Sequence, residues 1–208
     1  MKHIGLLGGT FDIVHNGHID VAQVVAKVFG LDKVLFVTAG EPPHKAQVTV
    51  TNSEIRHDLV ETAVAGIPGL EASRIELDLP GVSYTYRTVG ALKAILSAQT
   101  GEEVRISFIL SAEYLNPANP SVVTQWEEAE AFLSMVQLVV VPRFGISAEL
   151  ARQWARELNL TNVQVLEEPV SALSSGVVRD ALKQGLPIDA MVPALVAEKV
   201  KQHGIVYR

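Results

Sequence analysis

KHIGLLGGTFDIVHNGHIDVAQVVAKVF, Lys2 to Phe29, changes its hydrophobic period partway along. Lys2 to Leu7 is a short, nearly continuous apolar run of the kind a buried strand carries, and from Ile19 onward apolar residues recur at helical spacing through Val21, Val24, Val25 and Val28. Gly8 and Gly9 therefore fall at a strand-to-helix turn. Lacking a Cβ, they let backbone approach a ligand closely, and the unpaired N–H groups that open the following helix suit an anion. His15 and His18, three residues apart, share one side of that helix's first turn.

Working outward, strands and helices keep alternating. Strands are predicted at Val34 to Ala39, at the alternating Ile75, Leu77 and Leu79, and at Arg105 to Leu110, Gln137 to Pro142 and Val163 to Leu166. Helices are predicted over Ser53 to Ala65, with Ser53 as N-cap and Arg56 to Asp58 facing water, and over Tyr86 to Ala98, Gln125 to Met135, Ala148 to Leu158, Ser174 to Gln184 and Pro193 to His203. Gly40 to Asn52 reads as a polar, proline-bearing loop. This order implies an α/β fold: a Rossmann-like, doubly wound parallel sheet whose ligands sit beyond the carboxyl ends of its strands. The expectation is a single domain over residues 1–208, with a small C-terminal helical part from about residue 170 completing a phosphate site.

Composition narrows the partners. A chain of 208 residues, 48% of them hydrophobic, can bury a core of its own. Its net charge of −6 offers no basic stripe, which excludes a general nucleic-acid-binding role. The absence of cysteine excludes disulfides, thiolate zinc sites and cysteine nucleophiles. No apolar run approaches the ~20 residues of a membrane span, and MKHIGLLGG enters a strand directly with no signal-peptide pattern. A cytoplasmic protein with no membrane partner is expected. Oligomeric state stays open, a homo-oligomer included.

The glycines match neither the dinucleotide fingerprint nor the P-loop, since no Gly-Lys-Ser/Thr follows them. The eleven residues Gly8 to His18 instead resemble the signature of the nucleotidylyltransferase superfamily, which transfers a nucleotidyl group from a nucleoside triphosphate and releases pyrophosphate. Further segments resemble the bacterial nicotinate-nucleotide adenylyltransferases: EPPHK at Glu41 to Lys45, PGVSYTYRT at Pro80 to Thr88, and LSSGVVRDALKQG with the tail VPALVAEKVKQHGIVY. FILSAEYL and LVVVPRFG fall in the expected order between them, so the resemblance spans essentially the whole chain.

The resemblance implies attack by the 5′-phosphate of nicotinate mononucleotide on the α-phosphorus of ATP, giving deamido-NAD and pyrophosphate. That nucleophile is already ionised, so the work is to bring two anions together and to stabilise developing charge. The residues implied as catalytic are His18 on the α-phosphate, His15 on the triphosphate and Arg179 on the leaving pyrophosphate. The ATP site would also include Gly8, Gly9, Thr10, Phe11, Ser111, Glu113, Arg143, Ser174 and Ser175. The acceptor site would include Thr10, His44, Lys45, Ser83, Tyr84, Thr85 and Trp126. Mg²⁺ would arrive with ATP, held by few or no protein ligands. Other readings stand beside these. The histidine pair with Asp12 could form a metal site, His44 and Lys45 a solvated loop, and Ser174, Ser175 and Arg179 a capped helix with a surface arginine. The acceptor could be nicotinamide mononucleotide or phosphopantetheine, CTP could be the nucleotide, and a nucleotide-binding regulator without turnover is a further alternative.

Departures from the family pattern are Ile13 in place of Pro, Gly176 in place of Thr, Ser111-Ala112-Glu113 in place of Gly-Ala-Asp, and Arg87 in place of Asp. The stretch Pro120 to Gln125 also lacks the aromatic that commonly stacks on the pyridine ring. His3, His57 and His203 are given no role.

Overall fold

The computed structural model describes residues 1–40, 51–143 and 145–207. Six strands pair in parallel in the order β3-β2-β1-β4-β5-β6. They are β1 (Lys2–Gly9), β2 (Lys33–Thr38), β3 (Leu70–Ser73), β4 (Val104–Ser111), β5 (Gln137–Val141) and β6 (Val163–Val165). Successive strand residues feed opposite faces. Leu7, Phe36, Ile109 and Val139 pack under α1 (Asn16–Phe29), α2 (Ser53–Val64), α7 (Ser175–Lys183) and α8 (Ala194–Gln202). Leu6, Leu35, Phe108 and Leu138 pack under α3 (Ile75–Asp78), α4 (Thr85–Thr100), α5 (Ala129–Met135) and α6 (Ala148–Glu157). Buried on both sides, the strands read as apolar runs rather than as alternating patterns. The strand order reverses between β1 and β4, so the crevice lies beyond Gly9 and Ser111.

Three expectations are corrected. The edge strand is Leu70–Ser73, and Ile75, Leu77 and Leu79 lie in or beside the short helix α3. A turn that bonds Leu79 N–H to Ile75 O puts both residues against one core, which two-residue alternation also satisfies. The helix expected over 125–135 is split. A 3₁₀ turn at Val123–Gln125 precedes an extended Trp126, and α5 begins only after Glu128, at φ 51°. Packing of the Trp126 ring against Phe108, Tyr114 and Phe132 overrides helical propensity there. The third correction concerns α2. Its cap is Asn52, whose Oδ1 accepts from Glu54 N–H at 2.8 Å, and Arg56 and His57 are buried, only 2% and 3% exposed.

Candidate active site

The first helix follows β1 across a short loop, and His15 occupies its N-cap in an extended conformation. The His15 backbone N–H donates to His18 Nδ1 at 3.2 Å. An Nδ1 that accepts cannot carry the ring hydrogen, so in neutral His18 the N–H is at Nε2. The two imidazoles stack with centroids 3.7 Å apart, and Phe11 meets His18 edge-on at 5.0 Å. Phe11 takes φ 49°, a left-handed conformation that a bulky residue adopts only where its surroundings enforce it, and its ring is held against Phe36.

Burial lowers the pKa of His15 to about 4, and the Arg143 guanidinium adds to the shift. Burial also holds His18 well below the ordinary histidine value, reinforced by His15 and then Arg143. Both rings are neutral in the free protein at pH 7. A helix N-terminus favours that state as well, since its dipole opposes positive charge.

Around them opens a cleft walled by His15, Gly17, His18, Ser111, Arg143 and Ser171 among others. Two buried polar atoms on its wall, His15 Nδ1 and Ser111 Oγ, have no protein partner among the described residues. Gly17 sits close against the cleft wall: a Cβ there would lie 2.7 Å from Ser171 Oγ and 3.1 Å from His15 Nδ1, so those side chains would have to shift. Arg143 follows β5 and donates from Nη2 to Leu173 O at 3.1 Å, which ties the cleft wall to the segment entering α7. Glu113 sits in the 3₁₀ turn after β4 and acts electrostatically on Arg143.

The start of α7 is clamped onto the same loop. Ser174 caps the helix, its Oγ accepting from Val177 N–H at 3.3 Å. Ser175 Oγ donates to Ile13 O at 3.0 Å, and Arg179 Nη1 donates to Asp12 O. Serine 175 thus holds the loop with its hydroxyl, and Arg179 spends one donor on it. Gly176 has room for a side chain, since a Cβ would meet only Ser174 Oγ, at 3.5 Å.

Ser83, Tyr84 and Thr85 lie at the start of α4, with Tyr84 at its N-cap stacked on Tyr86. Ser83 faces Gly40, just beyond β2, and Glu76 of α3. Arg87 is exposed. The Trp126 indole N–H donates to Ser121 O at 2.9 Å, and its ring packs against Phe108, Tyr114 and Phe132. Expected as an acceptor contact, Trp126 is half-buried and serves in packing as well. His44 and Lys45 lie outside the described residues. Among the described residues no group of three His, Cys, Asp or Glu side chains could hold a metal ion.

Sequence reasoning missed Arg56, which donates from Nε to Thr51 O at 2.8 Å, from Nη1 to Thr10 O, and from Nη2 to Ala39 O and Gly40 O at 2.7 and 3.2 Å. A buried guanidinium serving four main-chain carbonyls leaves no spacing signature.

A doubly wound parallel sheet with an anion-ready helix start at its switch point, flanked by imidazoles and guanidiniums, defines a nucleotide-binding α/β protein. Residues 6–181 match the model of the cytidylyltransferase-like family. Curated relatives include a probable nicotinate-nucleotide adenylyltransferase of Dehalococcoides mccartyi, 34% identical over 98% of this chain and 97% of its own length. Another, from Acidothermus cellulolyticus, carries the same name and is 33% identical, covering 99% and 94%. The fold is shared with a Plasmodium falciparum nicotinic acid mononucleotide adenylyltransferase complexed with NaAD, at a TM-score of 0.77 and 14% identity over 99% of this chain and 97% of that one. A Vibrio parahaemolyticus structure named as a putative nicotinate-nucleotide adenylyltransferase superposes with a TM-score of 0.65 at 18% identity, covering 98% and 94%. The chain belongs to the cytidylyltransferase-like family and, within it, to the nicotinate-nucleotide adenylyltransferases.

Proposed function

We propose that this protein transfers AMP from ATP to nicotinate mononucleotide, forming deamido-NAD and releasing pyrophosphate. The observation that carries the reading is the stacked pair His15 and His18, at the N-terminus of α1 and on the wall of the switch-point cleft beside Arg143. Relatives of this name align over nearly the whole chain.

In this reading the acceptor phosphate attacks the α-phosphorus of ATP, a new P–O bond forms, and the bond to the bridging oxygen of pyrophosphate breaks. The acceptor oxygen is anionic at neutral pH, so no proton need be removed. His18 donates from Nε2 to an α-phosphate oxygen, a preorganised donor aimed where charge accumulates. His15 and Arg143 meet the triphosphate, with Gly8, Gly9, Thr10, Phe11 and Ser111 lining its path. Arg179 turns its remaining donors to the leaving pyrophosphate, beside Ser174 and the anchored Ser175. Glu113 is assigned to the ribose. Ser83, Tyr84 and Thr85, with His44 and Lys45, are assigned to the acceptor. Mg²⁺ travels on the triphosphate and neutralises part of its charge. No helix among the described residues is long and apolar enough to cross a membrane, in keeping with freely diffusing substrates.

The test is pyrophosphate release with ATP and Mg²⁺, comparing nicotinate mononucleotide, nicotinamide mononucleotide and phosphopantetheine as acceptors. Release with the first, well above the other two, is expected. Release only with phosphopantetheine, or ATP binding with no release from any acceptor, overturns the reading.

A further inference from the structure

The C-terminal Tyr207 lies far in sequence from the phosphate loop, yet its hydroxyl donates to Asp12 Oδ1, in the middle of the Gly8 to His18 stretch. Tyr207 is half-buried, its ring packed against the core that holds α1, α2, α7 and α8. Its single hydroxyl hydrogen is committed to Asp12. The 2.9 Å contact between Tyr207 Oη and Thr51 Oγ1 must therefore be donated by the threonine. Thr51 N–H also reaches Asp12 Oδ2, at 3.4 Å. Burial keeps the phenol far above the ordinary tyrosine range, with the bond to Asp12 acting in the same direction, so it stays a donor at every physiological pH.

These contacts close a ring. Thr51 donates its hydroxyl to Tyr207, and Tyr207 donates to Asp12. Thr51 O accepts from Arg56, and Arg56 donates to Thr10 O, two residues before Asp12. Asp12 O in turn accepts from Arg179. Asp12 itself is 5% exposed, with the cationic Arg56 of α2 and Arg179 of α7 nearby. The loop that carries Thr10, Phe11 and His15 is thus held from the opposite end of the chain.

We propose that Tyr207 is a positioning residue for the ATP site: by fixing the Asp12 carboxyl it sets the β1–α1 loop and the carbonyl on which Arg179 is aimed. The proposal rests on the reading of that loop as the triphosphate site. A hydroxyl that only stabilised the fold would weaken every ligand in proportion to the loss of structure. One that positions this loop acts on ATP first, because Ser83, Tyr84 and Thr85 lie at the start of α4, while Tyr207, Thr51 and Asp12 bond one another.

Tyr207→Phe removes the hydroxyl and keeps the packed ring. Calorimetric titration with MgATP, without acceptor, is expected to show affinity weakened about tenfold, the scale of one hydrogen bond to an ionised group. The KM for nicotinate mononucleotide should change by much less than the ATP affinity. Thr51→Val, which removes only the donor to Tyr207, should shift ATP affinity in the same direction by less. Unchanged MgATP affinity in Tyr207→Phe overturns the proposal, as does a loss shared equally by ATP, acceptor and melting temperature. If the wild-type protein releases no pyrophosphate with nicotinate mononucleotide, the functional reading fails separately, and the acceptor-free titration still decides the role of Tyr207.

Discussion

His18 shows how one side chain can serve structure and chemistry through different atoms. Nδ1 satisfies the His15 N–H at the helix cap, which leaves Nε2–H for a phosphate oxygen. His18→Ala is expected to cut turnover about a hundredfold to a thousandfold, the range measured when one preorganised donor to a developing oxyanion is removed. It should also cost about 1 kcal/mol of stability by orphaning that N–H. His18→Gln separates the two roles, because a side-chain oxygen three residues into a helix can accept from the cap. Its melting temperature should match wild type while turnover stays low; wild-type turnover in either variant refutes the assignment. Residues of this kind were legible because their chemistry is written locally, as glycines and histidines at fixed spacing beside a strand. Asp12, Arg56 and Tyr207 were not. Their partners are main-chain carbonyls or groups up to 195 positions away, and no local pattern encodes them.

At the scale of elements, the loops that build the site are held by α2 as much as by the sheet. Arg56 draws in carbonyls from the loop after β1, from the end of β2 and from the residue before the Asn52 cap. Arg56→Met keeps volume and removes all four donations, so about 3 kcal/mol or more of destabilisation is expected in urea unfolding. A loss under 1 kcal/mol would mean that water replaces the guanidinium at little cost. Gly40 is the second constraint, since a Cβ would lie 2.4 Å from Glu76 O, a backbone atom that cannot swing aside. Gly40→Ala should therefore destabilise the protein measurably, whereas an alanine at Gly176, with only a 3.5 Å contact to meet, should not. Elements were read correctly where period and length agreed, as in β1, α1 and β4. The edge strand and α5 escaped because a three-position alternation fits a helical turn equally well, and because a packed tryptophan broke a pattern that otherwise continued.

For the whole molecule, the parallel, doubly wound sheet followed from alternating elements, while the electrostatic state of the core depends on burial and emerges only from the packing. His15 has a folded pKa of about 4 against an ordinary value of 6.5. Above pH 6.5 it is neutral folded or unfolded and contributes no slope. Between 6.5 and 4 the unfolded chain binds a proton that the native protein refuses, so stability falls as pH falls, by about 3 kcal/mol across that interval. His18, held low for the same reason, adds to the fall. Glu76 works in the opposite sense. Burial raises its pKa, so its proton is favoured in the folded state and stability declines as pH rises above 4.5. Urea unfolding at pH 7.5 and 5.0 should therefore show a net loss on acidification, reduced in His15→Asn and enlarged in Glu76→Gln. A bound triphosphate supplies negative charge at the imidazoles and favours the protonated His15 ring that the free protein excludes. Saturating MgATP should accordingly flatten the acid loss in the wild-type protein more than in His15→Asn. Equal flattening in both would mean that the triphosphate does not sit against His15.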